Sequence, residues 1–351
     1  MRVELLSGSM TVKQKAEVRA RAESGETGVL IGTQALIQKS SVVKNTGLVI
    51  VDEQHRFGVA QRAALAEKGA APHILAMSAT PIPRTLALIV YGDLEVSVLN
   101  EMPRGRLPVK TYAVDSTFRQ RVYNFIKKHI AAGRQAYIVC PLVENSERKS
   151  EKASAIEYYN GLVNGDFRDI PTGLLYGKLK QSEKDRVMAE FKSGSLKLLV
   201  STTVIEVGID VPNAVVMLIE NAEQFGLSQL HQLRGRVGRG SEQSFCILMS
   251  DSRSEYTKAR TDVMVRTTDG FEIAREDLRL RGPGNFFGRE QHGLPPLKVA
   301  DIADDSAVLE EVDKLAGEIL RADPTLSDEK SRMLRSGVER LFGTNGDYGW
   351  N

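Results

Sequence analysis

Short runs of apolar, mostly β-branched residues recur along this 351-residue chain and constrain its fold more than any other feature. Longer amphipathic stretches separate these runs, and strands that alternate with helices form parallel sheets buried on both faces. We therefore predict an α/β protein with two blocks of parallel strands. The predicted strands read RVELLSG, GVLIGT, GLVIVDE and HILAMSAT in the first block, and KTYAV, QAYIVC, TGLLYG, LKLLVST, AVVMLIE and SFCILM in the second.

Local signals divide the chain further. Thr11, with Gln14 three residues later, predicts the capped start of a helix that stops at Gly25. A linker with proline, glycine and arginine at 101–110 separates the two blocks. We predict domains at 1–103 and 104–252, an Arg- and Gly-rich segment with helices and a loop at 253–293, and C-terminal helices at 294–351.

Composition indicates an ordinary globular protein, because 42% of the residues are hydrophobic and 26% are charged. The formal net charge is only +2, so any basic surface for nucleic acid must be local. No apolar run approaches the ~20 residues of a membrane span, and the first residues do not form a signal peptide. Cys140 and Cys246 lie in strand-like runs without metal-ligand spacing, so we expect buried free thiols in a reducing cytoplasm.

Two adjacent carboxylates, Asp52 and Glu53, close the predicted strand GLVIVDE. The carboxyl end of a strand in an open parallel sheet is a usual position for a ligand. In phosphate-transfer chemistry, one carboxylate can hold Mg²⁺ and the next can orient or deprotonate water. An exposed acidic strand end is the alternative interpretation. Gln54 and His55 follow directly and could hydrogen-bond to a neighbouring element.

Small polar residues follow several other predicted strands. Hydroxyls and backbone amides at such ends can bond to an adjacent acidic strand or to a phosphodiester backbone, although each motif alone is also typical of a loop. These residues are Ser78 and Thr80 in SATPIPR, Gly32 and Thr33 in IGTQAL, and Thr202, Thr203, Gly208 and Asp210 in VSTTVIEVGIDVP.

The stretch QLHQLRGRVGRG at 229–240 is the most specific in the chain. With 100° per residue, Leu230, Leu233 and Val237 share a helical face that would pack. The guanidinium groups of arginines on another face would match the oxygens of a phosphate. The alternative interpretation of this stretch is a basic helix that faces solvent and binds no ligand. Gly235 and Gly238 would each cost about 0.5–1 kcal/mol inside a helix, which close approach of a partner would explain. The polar face would consist of Gln229, Gln232, Arg236 and Arg239.

A phosphate-binding P-loop is missing from these 351 residues. Such a loop reads G-x-x-x-x-G-K-[ST], and its amides wrap the phosphates. The nearest stretch, GLLYGKL at 173–179, is one residue short and has Leu179 where a hydroxyl should bind magnesium.

Taken in order, these motifs resemble those of superfamily 2 helicases. IGTQAL resembles motif Ib, DEQH motif II, SAT motif III, TTVIEVGID motif V and QLRGRVGR motif VI. Longer stretches resemble the RecG family of bacterial branch-migration helicases over nearly the whole chain. The Mfd family of transcription–repair coupling translocases is similar, but Gln54 and RGPG favour RecG. The longer stretches are DEQHRFGVAQR, SATPIPRTLA, ENAEQFGLSQLHQLRGRVGRG and DGFEIAREDLRLRGPGNFFGREQHG.

The resemblance implies two RecA-like parallel-sheet domains, the first of them truncated, followed by a mainly helical segment. A RecG-like protein has a wedge domain, a P-loop and motif Ia, and this chain would start after all three. Without the P-loop strand, apolar strand edges of the first domain would be open. Tyr176 stands where the family usually has histidine, so no DNA contact is carried over to that residue.

The resemblance also implies roles for single residues. Asp52 would hold Mg²⁺ through water, and Glu53 would be the general base. Arg236 and Arg239 would reach the γ-phosphate of ATP across the interdomain cleft, with Arg239 as the arginine finger. Three residues would contribute to nucleotide binding: Gly208, Asp210 and Gln232. Four others would couple one motif to another: Gln54, His55, Ser78 and Thr80. The residues expected to contact DNA or drive translocation are Gly32, Thr33, Thr202, Thr203, Arg260, Arg281 and Gln291.

The implied parent activity is ATP-driven 3′-to-5′ translocation on duplex DNA, which remodels stalled replication forks and Holliday junctions in recombination and repair. ATP and Mg²⁺ would be the cofactors, and branched DNA and single-stranded-DNA-binding protein the partners. The protein would be a monomer near the nucleoid in the bacterial cytoplasm, without membrane contact. Two alternatives stay open: an Mfd-type translocase, and, because this chain alone is expected to lack ATPase activity, a non-catalytic DNA-binding module.

Overall fold

A computed structural model describes residues 1–8, 10–33, 36, 43, 45–53, 72–78, 96–99, 101–103, 105–141, 151–202, 211–281 and 306–342. The chain divides into two compact units. One consists of Met1–Thr80 together with Gly317–Asn351, and the other is Pro81–Ala316. The domain boundaries inferred from the sequence stay predictions.

The first unit contains two pairs of parallel strands in its described part. β1 (Arg2–Leu6) pairs with β2 (Thr27–Gly32), and β3 (Leu48–Val51) pairs with β4 (His73–Ala76). Helix α1 (Val12–Ser24) connects β1 to β2.

The capping box predicted for α1 is confirmed. The Gln14 amide N–H donates to the Thr11 hydroxyl over 3.3 Å, and the Thr11 amide N–H donates to the Gln14 side chain over 3.0 Å. Gly25 ends the helix in the left-handed conformation, where a glycine carries no steric penalty.

Apolar side chains on the strands of this unit are exposed. More than half of the surface is accessible at Val3, Leu5, Ile31, Leu48 and Ile50. Parallel sheets normally carry a layer on each face, and the described part of this unit does not supply both layers. The expected burial of these strands on both faces is therefore not seen in the described part of this unit. The open strand edges expected of the first domain stay a prediction.

The second unit is built on a six-stranded parallel sheet in the order β5-β10-β9-β6-β8-β7. All of its pairings are parallel, which confirms the α/β prediction. The strands are β5 (Lys110–Val114), β6 (Gln135–Val139), β7 (Thr172–Leu175), β8 (Leu198–Ser201), β9 (Ala214–Ile219) and β10 (Phe245–Met249).

Helices cover both faces of this sheet, because successive strand residues point to opposite sides. On β6, Ala136 and Ile138 join the core formed with α2 and α3, whereas Tyr137 and Val139 join the core formed with α4 to α7. The helices are α2 (Arg119–Ala131), α3 (Glu151–Asn164), α4 (Gln181–Lys192), α5 (Leu227–Arg234), α6 (Glu255–Arg266) and α7 (Gly270–Arg281).

Both cysteines lie in this core as free thiols, as predicted. Tyr176 is also buried, so it is not placed to meet DNA in this structure.

The C-terminal part contains α8 (Ser306–Ala322) and α9 (Arg332–Phe342), which confirms the helices predicted there. Asp323 directly follows α8 and accepts hydrogen bonds from the amides of Ser327 and Asp328 over 2.9 and 3.0 Å. Within the ranges that the structure describes, no helix is both long and apolar enough to cross a membrane.

Candidate functional site

The acidic pair and the Ser78 motif lie at the same edge of one strand pair. Val51 is in register with Ala76, and the Met77 amide donates to the Val51 carbonyl over 2.8 Å. Asp52 therefore follows β3 directly, and Ser78 lies two residues beyond the carboxyl end of β4. Parallel pairing thus places the described residues of the stretches that resemble motifs II and III at one edge of the strand pair.

Glu53 has a backbone conformation that only a few per cent of non-glycine residues adopt. Its φ is +52°, in the left-handed region, and its amide donates to Asp52 Oδ1 over 2.8 Å. Backbone strain of this kind costs about 1–3 kcal/mol and clusters at functional sites. The extended conformation of β3 therefore does not continue through Glu53.

Gly32 ends β2 at a point of close packing. A Cβ atom there would lie 2.3 Å from the Leu6 carbonyl oxygen and 2.8 Å from Leu36 Cγ, so a side chain cannot be accommodated. Thr33 is exposed, and its amide donates to the same carbonyl over 3.3 Å. Close packing alone therefore explains why residue 32 is a glycine. Of the two residues, Thr33 is the one that a ligand could reach.

Thr202 follows β8 and is 1% exposed. Its amide donates to the Leu175 carbonyl over 3.1 Å, which continues the pairing of β7 and β8. In this structure Thr202 is not at the surface, and its contact with DNA stays a prediction.

The helix predicted through 229–240 is shorter than expected. α5 ends at Arg234, Gly235 caps it, and Gly238 takes a φ of +75°. Neither glycine is therefore inside a helix, and the predicted helical polar face does not extend to Arg236 and Arg239. The 100° pattern failed here because it cannot register a left-handed turn.

The packing face was predicted correctly, but the polar face was only partly so. Leu230, Leu233 and Val237 are buried in the core. Gln232 is partly exposed and Arg239 is exposed, whereas Arg236 is only 8% exposed. Arg239 donates from Nε to the Gly235 carbonyl over 3.1 Å. We call residues 235–240 the arginine turn.

Helix α5 is fastened to the hairpin of α6 and α7. Arg234, 3% exposed, donates to the carbonyls of Met264 and Thr267 over 2.9 and 2.8 Å. These carbonyls lie at the end of α6, where they have no partner within the helix. Ser228 donates to Asp277 Oδ2 over 3.1 Å, so both helices of the hairpin hold α5.

His231, on the same helix, has a pKa lowered to about 4. Burial disfavours the charged imidazolium, and the neighbouring Arg234 guanidinium acts in the same direction, while Asp269 opposes them. The ring is therefore neutral at pH 7.

Arg260 is turned inward. Its guanidinium donates to the carbonyls of Phe225 and Glu223 over 2.8 and 2.6 Å and lies over the Tyr256 ring at 4.9 Å. The contact joins α6 to the loop that leads into α5. A role in translocation stays a prediction, and the structure shows the residue as a link to motif VI.

The structure also reveals an ion pair that sequence reasoning missed. Glu220, 3% exposed at the end of β9, accepts hydrogen bonds from Arg119, including one from Nη2 over 2.9 Å, and from the Tyr158 hydroxyl over 2.8 Å. Burial and the Glu220 charge raise the pKa of Tyr158. The signal available was a carboxylate at the end of the run AVVMLIE, the same signal that identified Asp52.

Several predicted residues fall outside the described ranges. They are Gln54, His55, Thr80, Thr203, Gly208, Asp210 and Gln291; Arg281 ends α7, and only its backbone is described. Among the residues that are described, no group of three or more His, Cys, Asp or Glu side chains is arranged to hold a metal ion.

Family models assign the class of protein. The DEAD/DEAH box helicase model matches residues 1–89, and the helicase conserved C-terminal domain matches 119–241. Together with the parallel sheets and the motifs at their ends, these matches define the chain as a superfamily 2 helicase with RecA-like domains. A third model, for domain 3, C-terminal, of the ATP-dependent DNA helicase RecG, matches 267–349. The chain belongs to the RecG family.

Individual relatives agree. The ATP-dependent DNA helicase RecG of Bacillus subtilis is 49% identical over 341 residues, which cover 96% of this chain and 50% of the relative. The RecG of Synechocystis is 48% identical over 344 residues, covering 97% and 41%. The chain thus spans about half or less of the length of these relatives. The RecG-specific match also favours RecG over the Mfd alternative.

Solved structures show the same fold. A RecG bound to a three-way DNA junction is 48% identical, with a TM-score of 0.66 over 88% of this chain and 40% of that one. The Mycobacterium smegmatis helicase Lhr, bound to single-stranded DNA and AMP-PNP, is 19% identical with a TM-score of 0.54 over 76% of this chain and 37% of that one. The second likeness concerns the fold alone.

Proposed function

We propose that this chain carries the motor core of an ATP-dependent DNA helicase that translocates 3′-to-5′ on duplex DNA and remodels stalled forks and Holliday junctions. The observation that carries the proposal is the placement of Asp52, Glu53 and Ser78 at one edge of the paired strands β3 and β4. The RecG structure with a three-way DNA junction supports branched DNA as the substrate class.

The residues present fit a magnesium-bound nucleotide in part. Asp52 offers the carboxylate oxygen that Mg²⁺ prefers and would hold the ion, which would neutralise phosphate charge when bound. Glu53 would accept a proton from the attacking water. Arg239, exposed on the arginine turn, would bind the γ-phosphate with its guanidinium fork, and Gln232 would assist. Arg236 is the weaker candidate because it is buried.

The DNA contacts belong to the proposal as well. Thr33 is exposed at the end of β2 and is suited to a backbone phosphate. Branched duplex DNA would be the main partner and single-stranded-DNA-binding protein a further one. A monomer in the bacterial cytoplasm, near the nucleoid, is the setting we propose.

A second candidate function applies to the 351 residues on their own. Because they contain no P-loop, nothing in their sequence is suited to wrap the nucleotide phosphates. We propose that the isolated chain binds DNA but does not hydrolyse ATP.

A chimera tests the parent activity. The part of the Bacillus subtilis relative that this chain does not cover is joined to the 351 residues, and ATP turnover is measured with and without forked DNA. We expect DNA-stimulated turnover that falls at least about 100-fold in both Glu53→Gln and Arg239→Ala, since each removes a group that acts in the transition state. Arg253→Ala, at an exposed arginine before α6, is the control. Turnover that survives both substitutions would refute the assigned roles.

A further inference from the structure

The linker before β5 lies against the arginine turn. Arg106 donates from Nε to the Gly238 carbonyl over 2.6 Å, a contact between residues 132 positions apart. Two residues further on, the Pro108 carbonyl accepts a hydrogen bond from Gln243 Nε2 over 2.9 Å. The Lys110 amide then donates to the Ser244 carbonyl over 3.0 Å as β5 begins.

Gly238 is the residue that permits this close approach. It has a φ of +75°, and a Cβ atom there would lie only 2.6 Å from Val109 Cγ2. Val109 is itself packed against the core. Because Gly238 has no side chain, Val109 of the linker can pack directly against the backbone of the arginine turn. At this left-handed residue, the Gly238 carbonyl accepts the hydrogen bond from Arg106.

Two arginines are attached to the backbone that this contact holds. Arg236 precedes Gly238 by two residues and Arg239 follows it directly. A charge-assisted hydrogen bond to a backbone carbonyl is stronger than a neutral one and restricts the neighbouring peptide units. Arg106 thus bonds to the peptide unit that joins Gly238 to Arg239.

We propose that the linker segment 105–110 supports the arginine turn, and that Arg106 is a positioning residue for Arg236 and Arg239. This inference rests on the proposed function in one respect: the proposed function supplies the phosphate that those arginines would bind. A change in the path of the linker would move the turn, so the connection between the two helicase blocks would also adjust the arginines.

The test uses the 351-residue chain with Arg106→Ala, Arg106→Lys and, as a matched control, Arg121→Ala at an exposed arginine of α2. Amide hydrogen exchange is measured at 236–240 and across β6, together with the side-chain Nε–H resonances of Arg236 and Arg239. In Arg106→Ala we expect about tenfold faster exchange in the turn and shifted arginine resonances. Exchange in β6 and the thermal midpoint should stay as in the wild type.

Rescue separates positioning from general stability. Arg106→Lys keeps a cationic donor and should restore the arginine resonances part of the way, whereas Arg121→Ala should leave them unchanged. A second pair addresses the packing: Gly238→Ala should disturb the same signals, and adding Val109→Ala should recover part of the effect.

Two results would overturn the inference. One is an Arg106→Ala turn that exchanges at the wild-type rate, and the other is faster exchange spread equally over β6 and the turn. Binding of the wild-type chain to a forked duplex is measured alongside. Loss of that binding counts against the proposed function alone, because the exchange readout uses no DNA.

Discussion

At the scale of the residue, three basic side chains within nine positions have different surroundings. Arg234 is buried on the α6 carbonyls, His231 is held neutral beside it, and Arg239 is exposed. The end of α5 at Arg234 produces the difference, because the left-handed Gly238 turns the chain after it. A buried guanidinium needs acceptors, and the end of a helix supplies carbonyls.

His231 gives the protein a pH-dependent term in its stability. Its pKa is lowered to about 4 by burial, with Arg234 adding to the effect, whereas the unfolded chain titrates near 6.5. The unfolded state therefore binds the extra proton first, so the contribution is complete above pH 6.5 and is lost as the pH falls toward 4. We expect a loss of about 2–3 kcal/mol across this window. Urea unfolding at pH 7.0 and 4.5 measures it.

The control for this prediction is His231→Gln, which removes the titrating group. Other groups also titrate between pH 7.0 and 4.5, so the difference between the wild type and the variant is the relevant quantity. Equal losses of unfolding free energy in the two proteins would contradict the assignment to His231.

The two thiols should be unreactive in the folded protein. Burial raises the pKa of Cys140 to about 11 and that of Cys246 to about 12. The thiolate is the reacting form, so labelling by a disulfide reagent at pH 8 should be at least about 100-fold slower than in urea. Fast labelling of the native chain would show that the core around the central strands opens readily.

At the scale of the element, hydrogen bonds join the α6–α7 hairpin to α5 and to the loop before it. Arg234 holds the end of α6, Ser228 holds α7 through Asp277, and Arg260 holds the loop before α5. Because three separate contacts join the hairpin to α5 and the loop before it, a movement of the hairpin would also move motif VI. The contacts connect the segment predicted to move DNA with the segment predicted to sense ATP.

Removal of the Arg234 contact should therefore destabilise the second unit. Arg234→Ala deletes two charge-assisted hydrogen bonds and leaves buried carbonyls without partners, which we expect to cost about 3 kcal/mol. Arg266→Ala is the matched control, because its bonds to Glu272 and Glu276 involve a side chain that is 58% exposed. The control should lose less than about 1 kcal/mol. Equal losses in urea unfolding would be inconsistent with a special role for Arg234.

The strands were predictable and the arginine turn was not. Apolar runs mark the strands directly, since parallel strands are normally buried on both faces, as β6, β8 and β9 are. Gly238 could not be read in the same way, because a glycine in a sequence does not reveal whether φ is positive. Arg106 and the Glu220–Arg119 pair also escaped the sequence analysis, since their partners lie about a hundred positions away or more. The motif residues Asp52 and Glu53 were found because they directly follow a strand.

At the scale of the whole molecule, the two units differ in how well their strands are covered. β6, β8 and β9 are buried along their whole length, whereas Leu48 and Ile50 of β3 are more than half exposed. Buried strands open only with the unit as a whole, and exposed ones open locally. We therefore expect amides of β1 to β4 to exchange at least about 100-fold faster than those of β6 and β9. Equal protection by hydrogen-exchange mass spectrometry would argue against exposed strands.

The most direct test of the account is ATP hydrolysis by the 351-residue chain with magnesium, with and without a forked duplex. We predict no turnover above background in either case and salt-dependent binding of the fork, because the chain has the acidic strand end and the arginines but no P-loop. DNA-stimulated turnover that Glu53→Gln abolishes would contradict the account, since the nucleotide phosphates would then have to be held by residues other than a P-loop.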